Sequence, residues 1–179
     1  RMTRSAETDY DGNSNTNEGI AEEIDSLMVM LLDAIQTYAH DKCAKDIAYS
    51  ATKYPYFIVD TNGNGTVDSD EGTSFNAWTP RLLKAAYNYQ FITKDPGAYA
   101  HNPRYAIAII YDSIENLAAG DNNISMGAIV RGEEGHFDGM GEAFRHWDTD
   151  GAVSASCARC HSSDGFISYA TNGVDATTA

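Results

Sequence analysis

Apolar residues recur at three- and four-residue steps through Ile20, Ile24, Leu27, Met28, Leu31, Leu32, Ile35 and Tyr38. One wide apolar face of this kind predicts a helix that starts near Asn17 or Glu18 and runs to about Tyr49. Glu22 and Glu23 suit its positive end. A second helix is expected over roughly 75–92, with Pro80 marking the first turn of a helix that starts near Thr79. Residues 93–100, TKDPGAYA, read as a turn and an extended lead-in. Asn102 then caps a third helix with Pro103 at its first position, and Tyr105, Ala106, Ile109, Ile110, Ser113, Ile114 and Leu117 line one face. Gly120 can end it. Residues 121–140 are mixed and glycine-rich and read as loop. A short helix at 141–147 leads into a turn at residues 148–151. No strong strand pattern and no internal repeat stand out, so the expected fold is mostly α: irregular helices joined by long loops.

Composition narrows the classes. At 179 residues and 42% hydrophobic, the chain can build a core, and eleven tyrosines and six phenylalanines argue against disorder over its length. A formal charge of -14 repels nucleic acid and anionic membranes, and no basic patch is present. The longest apolar run, Leu27 to Leu32, is far below a membrane span. The chain begins Arg1-Met2-Thr3-Arg4 with no visible signal peptide, which reads as a processed secreted chain or a piece of a longer one. Residues 1–17 are polar and read as a flexible arm. Within it, DYDGNSNTNE at 9–18 alternates oxygen-bearing side chains. A weak calcium loop is conceivable there, but a loose tail ending in a helix cap is the preferred reading.

Residues 157–161 read CARCH. Two thiols separated by two residues reach neighbouring vinyl groups of one haem and form thioether bonds, and the adjacent histidine meets the iron from one side. Cys157, Cys160 and His161 are therefore assigned to one covalent haem c. A zinc site would want further cysteines or a spaced histidine, and a redox dithiol usually opens a helix after a strand. Cys43 is the remaining cysteine and is expected to be a buried helix residue rather than a bridge or reactive thiol.

For the opposite face of the iron, His101 is the first choice, because the Asn102-Pro103 helix start fixes its backbone. His146, eleven residues before Cys157, and His136 in GHFDG are alternatives, with His40, Met126 and Met140 behind them. Two histidines would favour the ferric state, and a missing sixth ligand would open gas or peroxide chemistry.

Residues 60–71, DTNGNGTVDSDE, carry a full twelve-residue calcium pattern. Side-chain oxygens fall at positions one, three and five (Asp60, Asn62, Asn64), and Gly65 stands at the sharp turn. Thr66 offers its carbonyl at seven, Asp68 falls at nine, and Glu71 closes the loop at twelve. The alternative is an Asx-rich turn with no ion. Two neutral Asn ligands suit weak structural binding. The expected organisation is an arm at 1–17 and a helical haem-binding domain at 18–179 that contains this EF-hand-like loop.

With these residues in place, the chain resembles secreted c-type cytochromes of the multihaem class. Two segments carry the resemblance: AAYNYQFITKDPGAYAHNPRYA at 85–106 and EAFRHWDTDGAVSASCARCHSSDGF at 142–166. Multihaem cytochromes often show an aromatic-Asn-aromatic segment, then Asp-x5-His-Asn-Pro, then a helix. The resemblance implies that His101 is a distal haem ligand and that the protein relays electrons between haems in the periplasm or outside the cell. Its partners would be redox proteins or neighbouring haem subunits, in an oligomer or filament. The departure is the single haem motif, which fits a monohaem relative, one unit of an assembly, or part of a longer chain. Electron transfer rather than enzymatic turnover is thus the main reading. A five-coordinate haem enzyme or gas sensor would show an open iron, and a structural subunit of a larger complex would bury its haem beyond electron-transfer reach.

Overall fold

The computed structural model describes residues 8–132. The sites expected at His136, Met140, His146, Cys157, Cys160 and His161, and the helix expected at 141–147, lie outside the described residues. The order is α1 (Ile20–Cys43), β1 (Ile47–Tyr49), β2 (Phe57–Val59), α2 (Pro80–Thr93), α3 (Ala98–His101) and α4 (Pro103–Ala118).

Helix α1 buries Ile24, Leu27, Leu31, Ala34, Ile35 and Tyr38, the face its periodicity predicts. Gly19 caps it, and the Gly19 N–H donates to Glu22 Oε2 at 2.7 Å. The helix ends earlier than its pattern suggests, because Ala44 turns into the left-handed region at φ 50°. The chain then enters β1, which pairs antiparallel with β2 in the register Ile47 to Val59, Ala48 to Ile58 and Tyr49 to Phe57. Strands of three residues, with the first two positions of each buried, show no period-two alternation, so the sequence predicts no strand there.

Helix α2 starts where the Thr79-Pro80 signal puts it. Thr79 Oγ1 accepts the Leu82 N–H at 3.2 Å. Replacing Thr79 by alanine orphans that donor and is expected to cost about 1 kcal/mol, read as a lower denaturation midpoint with an unchanged slope. Helix α4 likewise has Asn102 Oδ1 accepting the Tyr105 N–H and Pro103 in its first turn. Gly120 follows its end for a different reason than expected. An added Cβ there would lie 2.6 Å from Arg81 Nη1 and 3.0 Å from Tyr38 Cε2, so the glycine serves close packing.

Helices α1, α2 and α4 pack on one another around Leu27, Leu31, Ile35, Leu82, Ile107, Ile110, Ile114 and Leu117. Beside this core, Tyr49, Phe57, Phe75, Trp78 and Tyr89 form an aromatic cluster with ring centroids 4.8–6.3 Å apart. It joins the β-ribbon to α2. Asn88 donates to Ser113 Oγ at 2.9 Å and ties α2 to α4. No helix of the described residues is long and apolar enough to cross a membrane.

Candidate metal centres

His101 closes the short helix α3, at the junction where Asn102 caps α4. The segment before it, expected to be extended, is instead a helical turn. That turn brings Asp95 back onto the imidazole. His101 Nδ1 lies 2.9 Å from Asp95 Oδ1 and 3.0 Å from Oδ2. Asp95 Oδ1 also accepts the Gly97 N–H at 3.0 Å. The hydrogen bond from His101, with the Gly97 N–H and the nearby imidazole charge, holds the Asp95 carboxyl below the usual carboxylate range. An ionised carboxylate only accepts, so Nδ1 is the donor of this bond, and in a neutral imidazole that arrangement leaves the Nε2 lone pair for a metal. The ring lies directly over Gly97: an added Cβ would come within 2.7 Å of His101 Cε1 and 2.9 Å of Nε2. Meanwhile the His101 side chain is 70% exposed. A histidine oriented by a carboxylate through one nitrogen is the usual arrangement of a metal-ligating imidazole.

Asp95 is the Asp of the Asp-x5-His-Asn-Pro segment, but neither its role nor that of Gly97 is given by the sequence. The signal was available in Asp-Pro-Gly followed by His four residues after the glycine, but only the turn's geometry gives it meaning. His40, a weaker alternative, sits in the last turn of α1 with Nδ1 2.6 Å from Asp46 Oδ1, which raises its pKa. Met126 is partly buried against the core. Cys43 is half-buried at the end of α1, and burial pushes its thiol up, away from the reactive thiolate.

Loop 60–71 leaves β2 and returns beside it. Val59 N–H donates to Thr73 O at 2.8 Å and Phe75 N–H to Phe57 O at 3.0 Å. A β-ribbon therefore frames the loop, where an EF-hand has two helices. Asp60 and Glu71 are each only 4% exposed. Asp60 Oδ1 accepts the N–H groups of Asn62, Gly63 and Asn64, and Oδ2 that of Gly65 at 2.7 Å. Glu71 Oε1 accepts the Thr61 N–H at 2.6 Å, and Oε2 the Asp68 N–H at 3.1 Å. The Thr61 N–H above all holds the Glu71 carboxyl below its ordinary range, so it is ionised at neutral pH.

Between these two carboxylates, the Asn62 and Asn64 amide groups both reach Asp68 Oδ2, at 2.8 and 2.9 Å. Side chains three, five and nine of the pattern thus meet at one point. Gly63 and Gly65 have φ of 70° and 78°, a backbone that favours glycine. Gln36 of α1 donates to Gly65 O at 2.8 Å and ties the loop to the core. Thr66 stands on the outside of the turn, its N–H bonded to Asn64 Oδ1. The donor set is all oxygen, with three carboxylates, and suits a hard divalent ion such as calcium.

No family model matches the chain, and no solved structure matches it significantly. It is similar to the C-type polyheme cytochrome OmcC of Geobacter sulfurreducens, 36% identical over 88 residues. It is similar to the same degree to the C-type polyheme cytochrome OmcB from two strains of that species. Each match covers 43% of this chain and 12% of the relative's length. Over that stretch the chain is related to multihaem c-type cytochromes.

Proposed function

We propose that the chain is an electron-transfer unit outside the cytoplasm, carrying one haem c bound to Cys157 and Cys160. His161 is its proximal ligand and His101 its distal ligand, and loop 60–71 holds a structural calcium ion. The haem, when bound, supplies one-electron exchange between ferric and ferrous iron. The CARCH motif and the similarity to C-type polyheme cytochromes support the haem. The His101–Asp95 pair is the observation that carries the bis-histidine reading, because a carboxylate bonded to Nδ1 holds the ring in one orientation before any metal arrives. An electron passing on from this haem goes to a neighbouring haem or a redox partner.

The test is an absorption and EPR spectrum of the purified protein, with its intact mass and a potentiometric titration. A mass raised by one haem and low-spin bis-histidine signals are expected. The bond to Asp95 makes the imidazole a stronger electron donor, which favours the ferric state. Asp95→Asn is therefore expected to raise the midpoint potential by on the order of tens of millivolts, a small part of the roughly 0.8 V that axial ligation spans. A high-spin spectrum that changes with carbon monoxide would overturn the reading in favour of a gas sensor or enzyme.

A further inference from the structure

Residues 9–17 fold against α1 with the same wrap as the first seven positions of loop 60–71. Asp9 Oδ1 accepts the N–H groups of Gly12 and Asn13 at 2.7 and 3.1 Å, and Oδ2 that of Ser14 at 2.8 Å. Asp11 Oδ1 accepts the Asn13 N–H, and Asn13 Oδ1 the Asn15 N–H. Counted from Asp60, the same offsets are bonded in the other loop. Positive φ recurs at the same fourth and sixth positions, Gly12 at 76° and Ser14 at 70°. The wrap alone says only that both are Asx-rich turns.

The closing carboxylate says more. It comes from Glu23 in α1, not from a twelfth loop position. Glu23 Oε2 accepts the N–H groups of Tyr10 and Asp11 at 2.9 and 3.0 Å. That bond accounts for one oxygen as a cap on the segment. Oε1 has no hydrogen-bond partner, although Glu23 is 0% exposed. Carboxylate oxygens of Asp9, Asp11 and Glu23 lie within 4.8 Å of one another. Among the described residues no cation pairs with them, and the charges that act on Glu23, Asp11 and Glu18, are both negative. A buried carboxylate with one unpaired oxygen, close to two further carboxylates, is an arrangement that a cation resolves.

We propose that Asp9, Asp11 and Glu23 hold a second oxygen-ligated divalent cation of the calcium class, which fastens the N-terminal segment to α1. All-oxygen ligands favour calcium over zinc or copper. Asn13, whose side chain reaches both Asp11 and Glu18, borders the site. The ion also bears on the other end of the described chain, because the Val130 N–H donates to Tyr10 O at 2.9 Å. Neither the haem nor the ion in loop 60–71 is needed for this site.

The experiment is calcium binding to the purified full chain after chelator treatment and desalting, by equilibrium dialysis. Wild type is expected to take up two ions, Asp60→Asn and Asp11→Asn one each, with the lost site weakened roughly tenfold or more. If Asp60→Asn abolishes all uptake while Asp11→Asn binds as wild type does, the N-terminal site is overturned and the other stands. Full uptake by Asp60→Asn would instead sink the 60–71 site alone.

Melting in the Asp60→Asn background covers a poorly folding variant. There calcium should raise the melting temperature, and adding Glu23→Gln should remove that rise without lowering the value in chelator. A Glu23→Gln chain that melts lower by the same amount with calcium and with chelator has lost a cap and not an ion, which overturns the proposal.

Discussion

A chain with Cys157 and Cys160 both replaced by alanine is expected to purify without covalent haem, losing the haem mass and the haem stain on a denaturing gel. The thioether bonds have no other anchor in CARCH, since Cys43 lies far away in sequence and is half-buried in α1. The helical circular dichroism should persist. Among the described residues, a core running from Ile24 to Ile124 is built mainly by α1, α2 and α4. His101→Ala gives the complementary result: the haem stays attached but the iron becomes high-spin and binds carbon monoxide. Losing the covalent haem and losing the sixth ligand are thus separable by mass and by spectrum. A covalent haem band in the double cysteine variant would sink the attachment assignment. An unchanged low-spin spectrum in His101→Ala would move the distal ligand to His136 or His146.

Much of the scaffold was legible because its signals are local. The Thr79-Pro80 and Asn102-Pro103 starts each combine a side-chain acceptor with a residue that lacks an N–H, and both helices begin there. The end of α1 was not legible, since Ala44 adopts a left-handed conformation that its residue type does not announce. Nor was the β-ribbon, because three residues per strand leave no alternation to count.

At the sites, Asp60, Asn62 and Asn64 could be placed from spacing, because each Asx side chain bonds backbone a few residues ahead. Asp95 stands in the Asp-x5-His-Asn-Pro segment, but its contact with the imidazole could not be read there, and Glu23 could not be placed at all. Asp95 meets His101 only because the Pro96-Gly97 turn reverses the chain, and Glu23 reaches Asp9 and Asp11 only once α1 has formed. Glu23 lies at no position of the loop pattern counted from Asp9, so a twelve-residue frame misses it.

Calcium removal from loop 60–71, read in an Asp11→Asn chain, is expected to lower the melting temperature by about 10 °C. An ion held a hundredfold below its free concentration stabilises the folded chain by about 2.7 kcal/mol. In a domain of this size each kilocalorie shifts melting by roughly 2–8 °C. Without the ion, the charges of Asp60, Asp68 and Glu71 are met by backbone N–H groups, by the Asn62 and Asn64 amides, by the Thr61 hydroxyl and by Lys53, whose Nζ bonds Glu71 O. Asp60→Asn keeps the shape and those N–H bonds but removes a ligand charge, so it should blunt the response of this loop to calcium. Equal melting temperatures in calcium and in chelator would sink the structural-ion reading.

The haem spectrum should hardly respond to chelator well below the melting transition. The loop is fastened to α1 through Gln36 and to the aromatic cluster through β2, while His101 is oriented by Asp95 and Gly97, which the loop does not touch. The ion then acts on the redox site only through global unfolding. A spectral change and the loss of helix should follow one curve when the calcium-free protein is heated.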